Sequence, residues 1–321
     1  MRVRDYFSVV ADPPIDSVIH VKTNSTMRLF SPAKVNLLLA VTGKREDGFH
    51  NLVSLVTPIT YGDYVTVTLT DRENEIVFEC PDPNVPSGDS NLVVQAARAY
   101  LEAQKSKQGM KILLEKHIPL EAGMGGGSSN TTTTLIILNQ LFEKSLGIHE
   151  LTGLASGLGS DCPLFLYKTP VLLHGRGEVI EQLPPTVIDN LEGKLIAVFK
   201  PGMGISTAWA YERLASGANF YADQDQIEAK IDSWRQGELS LEEILFNSFE
   251  GPVFEKFVAF PALFEQIQTE LGLTCLMSGS GSACFTLLSG TSQIVVLQKL
   301  VEDAFGVDVF YKICRIGLET D

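Results

Sequence analysis

"EAGMGGGSSNTTTT", residues 121–134, has four glycines within five positions, then two serines, an asparagine and four threonines. Just before it, "MKILLEK" (110–116) reads as a strand. Just after the glycines, "TTTTLIILNQLF" (131–142) reads as a helix, although its β-branched start has poor helix propensity and burial must override it. Glycines let successive backbone N–H groups converge on one point. A helix that starts directly afterwards adds the positive end of its dipole. Strand, glycine loop and helix together predict an anion cradle, most simply for phosphate. Ser128 and Ser129 can donate hydroxyl hydrogen bonds to phosphate oxygens or hold a metal ion's water. The loop is not GxxxxGK[ST], because no lysine follows its last glycine. Nor is it a dinucleotide fingerprint, because it lies mid-domain without a βαβ setting. On the glycines alone, a flexible turn is the competing reading.

Outward from the loop, "VNLLLAV" (35–41) reads as a buried strand, "DYVTVTL" (63–69) as a half-exposed one and "NEIVFEC" (74–80) as a third. Ser90 and Asn91 offer an N-cap to a helix whose apolar face is Val93, Ala96, Ala97, Tyr100 and Leu101. "IHELTGLASGLGSD" (148–161) predicts a helix ending in a glycine turn, and "PVLLHGRGEVIEQL" (170–183) a hairpin bent at Gly175 and Gly177. From about Leu195 the order is strand, helices to about residue 270, two strands, a helix and a last strand, "GVDVFYKICRIG" (306–317). Strands and helices mix without regular βαβ alternation, so the class is α+β, and the ending resembles a ferredoxin-like arrangement. "EQLPPTVIDNLEG" (181–193) has linker composition, which predicts an N-terminal mixed α/β domain over 27–185 and a C-terminal domain over 186–321. Residues 1–26 read as an extension without periodicity, with the fold starting at Met27.

The net charge of −14 disfavours nucleic acid, which needs a basic face, so an anionic ligand must be held by local groups. No apolar run approaches the roughly 18 residues of a membrane span, and the N-terminus does not read as a secretory signal. The five cysteines are scattered without a CxxC pair, which fits a reducing cytoplasm and gives no zinc or disulfide framework.

These stretches resemble the GHMP kinase superfamily. "IPLEAGMGGGSSN" (118–130) is similar to its nucleotide loop, "SPAKVNLLLAVTGKREDGFHNL" (31–52) to an N-terminal motif and "GLGSDCPLFL" (157–166) to an aspartate motif. "HGRGEVIEQL", "PGMGISTAWAY" and "MSGSGSACF" follow in the expected order, so the likeness runs from Met27 to about Gly317. The doubled glycines and the DGFH stretch point to the branch whose substrate carries a cytidine diphosphate group. Departures are Phe49 for a usual tyrosine, Cys162 and Leu164 for a valine and a phenylalanine, threonines at 131–134 for alanine-rich positions, and a weakened "FNSFE" around Asn247.

The resemblance implies a two-domain GHMP kinase fold with a ferredoxin-like C-terminal domain, and ATP-dependent phosphorylation of an alcohol. Alone, Lys34 reads as a solvated edge lysine and Asp161 as a turn aspartate. The resemblance makes them the catalytic pair. It assigns Pro119, Gly123, Gly125, Gly126, Gly127, Ser128 and Ser129 to ATP. It offers Asn91 and Lys116 as adenine-pocket candidates, against a helix cap and a strand-end charge. It assigns Asn36, Phe49, His50 and Asn130 to the substrate. Tyr211 is preferred over Trp209 for the far side of the base. Mg²⁺ would arrive with ATP, since no Asp/Glu triad has metal-ligand spacing. The expected partner is a small molecule with a cytidine diphosphate group, with no nucleic acid or membrane, in a monomer or weak homodimer. A homoserine- or mevalonate-type kinase, or a non-catalytic nucleotide-binding regulator, are the alternatives. A cytosine clamp has no use in the former, and a dead site has no chemical need for both Lys34 and Asp161.

Overall fold

The computed structural model describes residues 26–217 and 220–318. The expected extension therefore lies outside the described residues except for Thr26, which already belongs to the first strand. Two long strands, β1 (Thr26–Lys44) and β2 (His50–Thr70), pair antiparallel along most of their length. The apolar run 35–41 is buried throughout, as a strand covered on both faces must be. Register shifts on either side of Lys34 and Asn36 bend β1 at these two polar residues.

β3 (Ile76–Glu79) runs parallel to β4 (Gly109–Glu115), and α1 (Leu92–Ala103) makes the crossover that a parallel pair requires. α2 (Gly126–Leu141) and α3 (Ile148–Leu158) follow, then the hairpin β5 (Val171–His174) and β6 (Val179–Gln182). α1, α2 and α3 pack their apolar faces on the sheet through Leu29, Val65, Tyr100, Ile112, Leu135 and Leu151. α2 starts at Gly126, inside the glycine loop and earlier than its sequence predicts, with Gly125 as a left-handed N-cap. Thr131 and Thr134 donate to carbonyls four residues back, so these buried hydroxyls are satisfied within the helix.

α4 (Pro185–Leu191) leads to β7 (Leu195–Lys200). Then come α5 (Thr207–Ser216), α6 (Gln224–Arg235), α7 (Leu241–Ile244), β8 (Phe246–Asn247), α8 (Glu250–Phe254) and α9 (Ala259–Leu271). The last described elements are β9 (Cys275–Met277), β10 (Cys284–Leu288), α10 (Ile294–Phe305) and β11 (Phe310–Arg315). The second sheet has the order β11-β7-β10-β9, all neighbours antiparallel. Taken in chain order this is the split βαβ pattern expected from the sequence. Among the described residues the first sheet has seven strands, and its far member is β8, which returns from the second half of the chain to lie parallel to β1 at Leu38 and Leu39. Val35 and Leu37 of the first sheet share one core with Val198 and Phe285 of the second.

Candidate active site

Where the two sheets face each other, a cavity of about 720 Å³ opens. β1 gives it Lys34 and Asn36, the start of β2 gives Phe49 and His50, and the glycine loop gives Gly123 and Gly125. The turn after α3 adds Asp161, the β5–β6 turn adds Arg176, α5 adds Tyr211, and the turn after β9 adds Gly279 and Ser280.

The glycine loop closes one wall. Gly123 has φ +71°, and a Cβ there would stand 2.1 Å from the Ser278 carbonyl oxygen. Gly125 has φ +68°, and its Cβ would stand 2.9 Å from Phe165 and 3.0 Å from the Lys34 stem. Both positions demand glycine on conformation and on space. The loop thus presents the backbone of Gly123 and Gly125 to the cavity, whereas Gly126, Gly127 and the half-buried Ser128, at the start of α2, are not among its lining residues. Ser129 is different: it is fully buried, and its hydroxyl is bonded to Ser31 at 2.8 Å. Pro119 lies in the half-buried approach to the loop.

Lys34 is 4% exposed, which corrects its reading as a solvated edge lysine. Its backbone N–H donates to the Met124 carbonyl at 3.0 Å, tying β1 to the glycine loop. Its ammonium donates to Asn36 Oδ1 at 2.5 Å, as two residues on one strand face can. Burial pushes the Lys34 ammonium below the usual lysine range, and the Asp161 carboxylate opposes this in part. Thr132 on α2 donates to the Cys162 carbonyl at 2.7 Å, fixing the turn that carries Asp161.

At the other end of the cavity lie the aromatic groups. Phe49 is 49% exposed, with the Arg176 guanidinium 4.8 Å from its ring centre. His50 stacks on Tyr211 at 4.9 Å and 27°. Burial, and to a lesser extent Lys44, hold the His50 imidazole below its usual range, so it is neutral near pH 7. Burial raises the Tyr211 phenol to about 12, with the Asp161 charge adding to it. Trp209 faces elsewhere, against Phe257 and the Lys256 ammonium, and does not line the cavity.

Three predicted site residues have other partners. The Lys116 ammonium sits on Asp63 Oδ2 at 2.5 Å, and both side chains are buried. Asn130, 2% exposed, donates to Asp63 and to Ser31 at 2.9 Å each, and accepts from Lys116 at 3.2 Å. Asp63 also accepts from the backbone N–H groups of His117 and Ile118. This buried network lies under the loop, because a Cβ on Gly126 would meet the Lys116 nitrogen at 2.7 Å. Asn130 thus faces the fold and does not reach the cavity. Asn91 caps α1, accepting from Val93 N at 2.8 Å. Next to this network a smaller cavity, about 400 Å³, is lined by Phe78, Cys80, Val85 and Leu113. Cys80 lies within electrostatic reach of Lys116 and Asp63.

The sequence gives no signal for Asp63, which sits in an ordinary alternating strand, or for Arg176, which reads as a turn residue. Asn247 and Glu250, in the weakened "FNSFE", bind the turn after β9. Asn247 donates to the carbonyls of Met277 at 2.6 Å and Gly279 at 2.8 Å. Glu250 accepts from Met277 N at 2.7 Å.

Residues 91–169 match the family model described as the GHMP kinases N terminal domain. A curated protein of Methylacidiphilum infernorum named 4-diphosphocytidyl-2-C-methyl-D-erythritol kinase is 36% identical over 84% of this chain and 88% of its own length. One of the same name from Chlorobium phaeobacteroides is 38% identical over 79% of this chain and 86% of its own. A crystal structure of a 4-(cytidine 5'-diphospho)-2C-methyl-D-erythritol kinase, 33% identical, superposes with a TM-score of 0.73 over 91% of this chain and all of that one. Homoserine kinase from Cytophaga hutchinsonii, 18% identical with a TM-score of 0.70 over 92% of this chain and 97% of that one, shares the fold.

Proposed function

From its membership in the 4-diphosphocytidyl-2-C-methyl-D-erythritol kinase family of the GHMP kinases, we infer that this chain transfers the γ-phosphoryl group of ATP to the 2-hydroxyl of 4-diphosphocytidyl-2-C-methyl-D-erythritol, a step of non-mevalonate isoprenoid synthesis. The observation that carries this reading is the meeting, in one cavity, of a glycine loop, a buried lysine, an aspartate and an aromatic group.

The triphosphate lies along the glycine loop, where backbone N–H groups and the α2 dipole offset the repulsion of an acidic protein. The adenine points toward the smaller cavity beside Lys116. The cytosine lies among Phe49, His50 and Tyr211, which puts the 2-hydroxyl between the glycine loop and Asp161. Asp161 accepts the hydroxyl proton as the oxygen attacks phosphorus in line. The Lys34 ammonium, held by Asn36, steadies the negative charge that forms. Lys34 is 4% exposed, so solvent screens that interaction little.

Among the described residues no group of three acidic, His or Cys side chains could hold a metal by itself. The Asp161 carboxylate, which lines the cavity, would suit Mg²⁺ that comes already bound to phosphate oxygens and water. When bound, it spreads the charge on the phosphoryl oxygens.

The test is a coupled assay of ATP consumption with the cytidine-bearing substrate beside homoserine and mevalonate. Turnover with the first alone is expected. Preferential turnover of either other alcohol would overturn the reading.

A further inference from the structure

A residue can shape a reaction without touching the substrate if it fixes backbone that does. The stretch "FNSFE" (246–250) belongs to neither the glycine loop nor the catalytic pair, yet three of its side chains join the two sheets at the cavity. Ser248 works on the first sheet. It donates its N–H to the Leu39 carbonyl and accepts from Val41 N, both at 2.9 Å. Asn247 and Glu250 work on the second, gripping the backbone on either side of the Met277–Gly279 corner. Asn247 Oδ1 accepts from Phe249 N at 2.9 Å, which turns the amide so that its two N–H bonds face the two carbonyls.

That corner is a wall of the site. A Cβ on Gly279 would stand 3.1 Å from the Gly123 carbonyl oxygen and 3.4 Å from the Lys34 nitrogen. Ser278 donates its hydroxyl to that same Gly123 carbonyl at 3.1 Å, and Ala283 N donates to Ala122 O at 3.0 Å. The corner is thus bonded to the glycine loop and packed against the catalytic ammonium, and Asn247 with Glu250 hold it from behind. Both are away from solvent: Asn247 is 4% exposed and Glu250 half-buried.

We propose that Asn247 and Glu250 are positioning residues for phosphoryl transfer, setting the distance between Lys34 and the glycine loop through the backbone of Met277–Gly279. The proposal rests on the reading of Lys34 and the glycine loop as transfer machinery. An error of about an ångström in such a placement lowers turnover by about a hundredfold.

The test compares Asn247→Asp, Glu250→Ala and Glu250→Gln in the full chain. Asn247→Asp keeps shape but turns a second oxygen toward two carbonyls. Glu250→Gln keeps an acceptor for Met277 N, and Glu250→Ala does not. Two readouts are taken: steady-state kinetics with ATP and the cytidine-bearing substrate, and deuterium exchange of the 275–281 backbone. Asn247→Asp and Glu250→Ala are expected to lower kcat about tenfold to a hundredfold with KM for either substrate within about threefold, and to speed exchange in that segment. Glu250→Gln is expected to restore both readouts. A segment that exchanges faster while kcat stays parental overturns the proposal, as does equal loss in Glu250→Ala and Glu250→Gln. If Asn247→Asp does not fold, the Glu250 pair decides alone. Parental turnover of the cytidine substrate tests the underlying reaction, and exchange tests the bracket without it, so the two failures are distinct.

Discussion

In the proposed mechanism Asp161 is the proton acceptor and Lys34 the compensating charge. Asp161→Asn keeps size and polarity but cannot take the proton. Turnover should fall by about 10²–10⁴-fold, with ATP affinity by calorimetry nearly unchanged. Parental kcat in this variant would remove Asp161 from the mechanism. Phe49 has an exposed ring at the cavity, the proposed platform for the base, and stacking on such a ring is worth roughly 1–3 kcal/mol. Phe49→Ala should therefore raise KM for the cytidine substrate by about tenfold, leave KM for ATP alone, and leave the melting temperature nearly unmoved. Phe49→Tyr should behave as the parent. Equal damage to both Michaelis constants with a large loss of stability would make Phe49 a packing residue. The proposed catalytic pair shows where sequence reasoning reaches its limit. Lys34 becomes legible only through the motif around it, because spacing in a strand predicts a face and cannot tell a buried lysine from a solvated one. Asn130 is assigned to the substrate only through the resemblance, and only the fold puts Asp63, Ser31 and Lys116 beside it.

At the scale of elements, α2 rests on a buried ion pair. Replacing Asp63 with alanine leaves the Lys116 ammonium buried without its counter-charge, which costs about 3–5 kcal/mol. It also frees Asn130 and the start of α2, so ATP affinity should drop along with the melting temperature. A variant that melts early yet binds ATP as the parent does would show that the network supports the fold and not the loop. Gly125→Ala tests the loop directly. Its left-handed backbone disfavours a side chain by about 1–2 kcal/mol, and the new methyl would press on the Lys34 stem. Both ATP affinity and kcat should fall. Most of the strands and helices and the hairpin are visible in the sequence, but α4 (Pro185–Leu191) lies in a stretch whose Pro, Asn and Gly content reads as a linker. The early start of α2 is not visible either, because glycines and serines carry no helical pattern. β8 is also invisible: two residues are too few to show a period, and its pairing with β1 is a tertiary event.

At the scale of the molecule, Glu250 couples stability to pH. Burial lifts its carboxyl from an ordinary 4.5 to about 7, and the Met277 N–H offsets only part of that. Between those two values the unfolded chain has lost a proton that the folded protein keeps. Stability contributed by this group is therefore full below pH 4.5, declines as pH rises toward 7 and is flat above it. At about 1.4 kcal/mol per pH unit the difference is roughly 3 kcal/mol. Chemical denaturation of the parent and Glu250→Gln across this window should show the parent's slope flattened in the variant. Parallel curves would mean that Glu250 ionises normally in the fold. The return of β8 to β1 has another consequence, for the order in which the protein is made. Val41 and Ser248 are bonded across 207 positions of chain. While a ribosome is still building the second half, the edge of β1 has no strand to cover it. An uncovered edge is a template for pairing with another nascent chain. The stretch proposed to brace the active site thus also covers the edge of β1 at Leu38 and Leu39, and that cover is in place only after the second half of the chain has been made.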